Sequence, residues 1–182
     1  MSSGNALLLI DVQANMLDPA TPVFGAVPLI GRLRDLLHRA RRAGVPVIFV
    51  RNCGGAGDPD VHGSPGWELH AELQPVDQEV ILDKTTCNTF ASTDLAAVLD
   101  ARSVSQLMIA GLQSEYCVRE TTLGALDRGY GVTLATDGHS TYDSRGRKAA
   151  AIVDAVNEEL SSRATLVPAE KILLVDRRTF RS

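Results

Sequence analysis

The chain has 182 residues, 45% of them hydrophobic and 22% charged, and a formal net charge of −4. This composition excludes a disordered or fibrous chain, and the acidic balance argues against a nucleic-acid surface. At this length one domain spanning residues 1–182, with a substantial core, is the expectation.

The opening segment MSSGNALLLIDVQ has no basic leader, and its apolar run from Ala6 to Ile10 is too short for a signal-peptide core or a membrane span. A cytoplasmic protein without a membrane partner is expected. The run ends at Asp11 and reads as a strand buried on both faces. In PLIGRLRDLLHRARRAG, Leu29, Ile30, Leu33, Leu36, Leu37 and Ala40 recur at helical spacing before a stop at Gly44, and the arginines from Arg32 to Arg42 read as a solvated face. VPVIFV, Val45 to Val50, is a second strand. Asn52 to Gly66, rich in Gly, Pro and Asp, is the longest irregular stretch, and its length implies a function.

EVILDK gives a third strand ending at Lys84, followed by a helix from about Thr93 to Ala101 and a fourth strand, QLMIAG. A helix containing Cys117 comes next, then the strand GVTLATD, a helix from about Arg147 to Leu160, and a last strand from Ala164 to Val167. Such alternation predicts a three-layer α/β/α fold whose parallel sheet has five or six strands, ordered 3-2-1-4-5 with any sixth following.

Open parallel sheets bind ligands beyond the carboxyl ends of their strands. Asp11 and Lys84 stand at two such ends, and Cys117 lies six residues past Gly111. An acid, a base and a thiol are thereby positioned to converge. With Ser114 as N-cap, Cys117 takes the third helical position, where the helix dipole and Lys84 favour the thiolate and Asp11 can accept its proton. The result is an activated sulfur nucleophile. Cys53 and Cys87 read as structural thiols without a disulfide framework, and His139 reads as a turn residue.

LLLIDVQANML, DKTTCNTFASTDL and IAGLQSEYCVRETTLGALDRGYGVTLATDGHSTYD together resemble the isochorismatase-like cysteine hydrolases, over about residues 6 to 170. The resemblance implies a catalytic triad of Asp11, Lys84 and Cys117. It also implies a non-proline cis peptide between Leu112 and Gln113, turning the Gln113 N–H toward the site to form an oxyanion hole with the Cys117 N–H. Candidates for substrate contacts are Gln13, Asn15, where many relatives carry an acid, and Trp67, Asn88, Phe90 and Tyr116.

The nicotinamidase branch of this superfamily has a metal site, but DPDVHGSPGWELH offers Asp60, His62 and His70 at another spacing. GSPGWELHAEL instead resembles the metal-free branch, so no metal and no cofactor are expected. Retention of Cys117 favours cleavage of a C–N bond, in an amide, ureido or lactam substrate, through a thioester. The alternatives are a vinyl ether hydrolase of isochorismatase type and a catalytically silent binding protein on the same fold. The resemblance further implies a homodimer or homotetramer whose neighbouring subunit closes the pocket.

Overall fold

A computed structural model describes residues 4–174. Six strands form one sheet of order β3-β2-β1-β4-β5-β6, every adjacent pair parallel. They are β1 (Gly4–Ile10), β2 (Val47–Asn52), β3 (Val80–Lys84), β4 (Val104–Leu112), β5 (Gly131–Ser140) and β6 (Thr165–Val167). The helices are α1 (Ala14–Leu17), α2 (Ala26–Arg42), α3 (Thr89–Ser92), α4 (Leu95–Asp100), α5 (Arg119–Asp127) and α6 (Ala149–Leu160). Strand order and class follow the expectation from apolar runs, and no described helix is long and apolar enough to cross a membrane.

Alternation along β1 divides the core. Leu7 and Leu9 face the layer built by α2, whereas Ala6, Leu8 and Ile10 face the layer containing Leu95, Leu99, Ala125, Val156 and Leu160. All five β1 residues are fully buried. At about 25 cal/mol per Å² of apolar surface, two-sided burial of this kind supplies the main force that holds the three layers together.

Element ends differ from the sequence expectations for local reasons. β2 starts at Val47 because Pro46 has no N–H to give the ladder, although its carbonyl accepts from Leu7 N–H at 2.9 Å. α4 starts at Leu95 after the Thr93 hydroxyl accepts from the Leu95 N–H at 3.2 Å. β5 runs on to Ser140, which places His139 in a strand rather than in a turn. The arginines of α2 are also tied into the fold: Arg39 donates to the carbonyls of Ala169 and Ile172, at 2.9 and 2.5 Å, and Arg41 holds Glu79 at 2.8 Å.

The order in which strands are added reverses between β1 and β4, so a crevice opens above their carboxyl ends. The two strands approach closely there. A Cβ at Gly111, φ 130°, would stand 2.0 Å from the Ile10 carbonyl oxygen, so only glycine fits.

Candidate active site

Asp11 follows β1 directly, in a left-handed conformation with φ 51°, and its N–H is fixed on the Val50 carbonyl at 2.8 Å. Its side chain therefore turns from the sheet into the crevice. Asn52 and Lys84 close β2 and β3 and are paired in register. Lys84 is fully buried, and its Nζ lies 2.9 Å from Asp11 Oδ2, 3.0 Å from Asn52 Oδ1 and 3.2 Å from Cys117 Sγ. One ammonium thus ties together the carboxylate, the thiol and an amide.

Burial pushes the Asp11 carboxyl above its ordinary range, and Lys84 opposes this. The Lys84 ammonium is disfavoured by burial, yet Asp11 and Cys117 outweigh that penalty and hold its pKa above the usual value. For Cys117, burial and then the Asp11 charge push the thiol up, against the pull of Lys84. The thiolate expected from the helix start is thus opposed by burial and by the Asp11 charge. The Asp11 carboxyl also interacts directly with the Cys117 thiol, which sets it to receive the thiol proton.

The turn that carries Cys117 also differs from expectation. Ser114–Val118 form a π-helical turn ahead of α5, with the Gln113 carbonyl accepting from the Val118 N–H at 3.1 Å. Ser114 does not cap it. Its hydroxyl lies 2.8 Å from His139 Nδ1, while His139 Nε2 lies 3.1 Å from Asn157 Oδ1 and Asn157 Nδ2 donates to the Thr136 carbonyl at 3.0 Å. With Asn157 Oδ1 facing the ring, Nε2 carries the proton and Nδ1 accepts from Ser114. Burial lowers the His139 pKa and keeps the ring neutral. This chain moors the turn to β5 and α6.

The bond between Leu112 and Gln113 is cis, and Gln113 and Cys117 both line a cavity of about 390 Å³. Of the six expected substrate contacts, Asn15 and Tyr116 line it; Gln13, Trp67, Asn88 and Phe90 do not. The Gln13 amide is consumed by backbone: it accepts from Asn52 N–H at 2.8 Å and donates to the carbonyls of Asn52 and Trp67, both at 3.0 Å. Trp67 lies under the Arg51 guanidinium, 3.5 Å from the ring centre, and donates to Cys53 Sγ at 3.2 Å. Asn88 caps α3 by accepting from Phe90 N–H at 3.0 Å, and Phe90 stacks on Tyr130, centroids 5.7 Å apart.

Sequence reasoning missed Met16, Asn52, Pro59, Cys87 and Tyr142 as cavity residues, and considered Asp60 only as a metal ligand. Cys87 is exposed and lines the cavity, so it is not a buried structural thiol. The position of Asn52 at a strand end was the available signal. Asp60, His62 and His70 are dispersed: Asp60 accepts from Asn52 at 2.7 Å, the His62 ring packs 4.3 Å from Trp67, and His70 Nε2 lies 2.9 Å from Asp18. No group of three His, Cys, Asp or Glu among the described residues is arranged to hold a metal ion.

The family description "Isochorismatase domain" matches residues 5–164. The chain belongs to the isochorismatase family. A streptothricin hydrolase of Streptomyces noursei is 42% identical over 159 residues, covering 87% of this chain and 57% of the relative. A second streptothricin hydrolase of that organism is covered over 62%, so the chain spans about three fifths of these relatives' length. The ureidoacrylate amidohydrolase RutB of Stutzerimonas stutzeri is 28% identical, covering 82% of this chain and 75% of that protein. Among solved structures, an isochorismatase from Pseudomonas putida KT2440 superposes with a TM-score of 0.88 at 26% identity, covering 93% of this chain and 90% of that one. This member of the isochorismatase family thus combines a shared fold with a chain of contacts from Asp11 through Lys84 to Cys117.

Proposed function

We propose that this protein is a cysteine hydrolase that cleaves a C–N bond of a small amide, ureido or lactam substrate. The observation that carries the reading is the placement of Lys84 Nζ 2.9 Å from Asp11 Oδ2 and 3.2 Å from Cys117 Sγ, with Asp11 and Cys117 both lining the cavity. Relatives named streptothricin hydrolase and ureidoacrylate amidohydrolase support it.

With burial and Asp11 holding the thiol pKa up, its proton passes to Asp11 as sulfur attacks the carbonyl carbon. Lys84 stabilises the charge developing on sulfur, and the main-chain N–H groups of Gln113 and Cys117 receive the oxyanion, a contribution of about 3 to 4 kcal/mol per donor in other enzymes. Collapse of the tetrahedral intermediate breaks the C–N bond, and Asp11 returns the proton to the leaving amine. Water then enters and gives a proton to Asp11 as its oxygen attacks the thioester carbon; the C–S bond breaks, the acid product leaves, and Asp11 returns the proton to the Cys117 sulfur. A raised thiol pKa also limits alkylation and oxidation until substrate is in place.

The exposed side chains of Phe24 and Val27, 58% and 82% accessible beside the start of α2, support a homodimer or homotetramer. The test of the chemistry is a panel of amides, carbamoyl compounds and lactams with an ammonia or amine readout, run on the native protein and on Cys117→Ala. Turnover by the native chain and its loss in Cys117→Ala is the expected result. Turnover retained by Cys117→Ala would remove covalent catalysis.

A further inference from the structure

The cavity holds a carboxylate that the proposed chemistry does not use. Asp60 belongs to the long segment after β2, yet it is only 8% exposed. Its Oδ2 accepts from Asn52 Nδ2 at 2.7 Å, and Asn52 Oδ1 in turn accepts from Lys84 Nζ at 3.0 Å. No Lys, Arg or His among the described residues forms an ion pair with it.

The loop is built to hold this side chain in place. The Gly54 N–H donates to the Asp60 carbonyl at 3.0 Å, and the Gly55 N–H to Asp58 Oδ2 at 2.7 Å. A Cβ at Gly54 would stand 2.2 Å from Asp60 Oδ1 and 2.7 Å from Asp58 Cβ. Glycine there is what lets the carboxylate fold back toward the site. The Asn15 N–H, bonded to the Gly66 carbonyl at 3.1 Å, closes the other end of the segment on α1.

The charge of the cavity follows from its lining. Asp11 and Asp60 contribute two carboxylates, and Lys84, fully buried behind the lining and 2.9 Å from Asp11, contributes one ammonium. The sum is one unbalanced negative charge. Asn15, whose buried Oδ1 has no hydrogen-bond partner among the described residues, lines the same cavity. Tyr116 and Tyr142 supply aromatic lining, which also suits a cation. An apolar or anionic substrate would leave the Asp60 carboxylate without a counter-charge, whereas an ammonium or guanidinium group would supply one.

We propose that Asp60 is a specificity-determining residue that selects substrates bearing a positively charged nitrogen group close to the scissile carbonyl. This rests on the hydrolase reading for its reaction, but the charge of the cavity can be measured without turnover. Two methanethiosulfonate reagents of similar size, one carrying trimethylammonium and one sulfonate, are reacted with the full chain in a Cys87→Ser background. Modification of the Cys117 peptide is followed by mass spectrometry. Cys117 should react about tenfold faster with the cation than with the anion at low salt, and the difference should shrink as salt is added.

In Asp60→Asn, which retains an acceptor for Asn52, the cation should slow, the anion should accelerate, and the ratio should approach one. Gly54→Ala should act in the same direction, while Asp60→Glu and the surface variant Asp83→Asn should preserve the preference. On matched amides that differ only by an ammonium replaced with a methyl group, Asp60→Asn should raise KM about tenfold for the charged member alone and leave kcat nearly unchanged. An unchanged reagent ratio in Asp60→Asn overturns the proposal. So does an equal acceleration of both reagents, which marks a loosened loop. If the native chain hydrolyses no member of the amide panel, the hydrolase reading fails, and the reagent ratio still decides the charge of the site.

Discussion

Replacing Lys84 with methionine removes one charge from the protein interior at nearly constant volume. The ammonium and its Asp11 partner are both buried, 0% and 2% exposed at their side chains, and 2.9 Å apart. Breaking such a pair from one side costs about 3 to 5 kcal/mol, because the remaining charge is stranded. For a domain of this size the expected fall in Tm is about 6 to 20 °C. Lys84 is also the main influence that opposes the burial-driven rise of the Asp11 pKa, so Asp11 in Lys84→Met should titrate higher still. A carboxyl whose folded pKa exceeds its unfolded value is most favourable to folding when protonated. Its contribution is lost as pH rises from about 3.9 through the folded pKa. The penalty of Lys84→Met, measured against the native chain, should therefore be larger at pH 8 than at pH 5. Asp11→Asn combined with Lys84→Met should recover most of it, since no charge is left buried. Urea denaturation of the native chain, both single variants and the double variant at the two pH values provides the comparison. A penalty that does not change with pH, together with a double variant no more stable than Lys84→Met, would refute the stranded-charge reasoning.

Two further outcomes follow from the same electrostatics. Burial and Asp11 push the Cys117 thiol up, so iodoacetamide at neutral pH should label exposed Cys87 faster than Cys117, with Lys84→Met slowing Cys117 further; preferential labelling of Cys117 would show a resting thiolate. His139 is buried and neutral, with its pKa below the ordinary 6.5, so the unfolded chain binds the extra proton and stability should fall as pH drops below that value. The slope from this group is at most about 1.4 kcal/mol per pH unit, and His139→Gln should flatten it; an unaltered slope in a folded variant would contradict the role of the ring as a neutral link between Ser114 and Asn157.

Much of the scaffold was legible because two-sided burial leaves uninterrupted apolar runs: LLLI in β1 and VIFV in β2 have no other simple reading. The end of the first run located Asp11, and the end of the β3 segment EVILDK located Lys84. Polar residues nearby were harder to place, since sequence does not reveal which partner a side chain will take. Gln13 was expected in the pocket but serves the backbone of Asn52 and Trp67. Ser114 was expected to cap a helix, but its hydroxyl is spent on His139, 25 residues away in sequence. Helix-start logic also suggested a thiolate at Cys117, whereas burial and a neighbouring carboxylate dominate there. Asp60 reaches the cavity because the glycine-rich loop folds back on itself between Gly54 and Asp60, a turn for which the segment has no regular periodicity to read.

The central claim is that Cys117 becomes covalently bonded to the acyl part of the substrate. With a substrate found from the panel, a reaction quenched in acid within the first turnovers should yield intact protein heavier by the mass of that acyl group. Fragmentation should place the added mass on the peptide containing Cys117, and it should vanish when turnover is complete. Full turnover without any adduct on Cys117, in a protein whose Cys117→Ala variant remains active, would contradict the account.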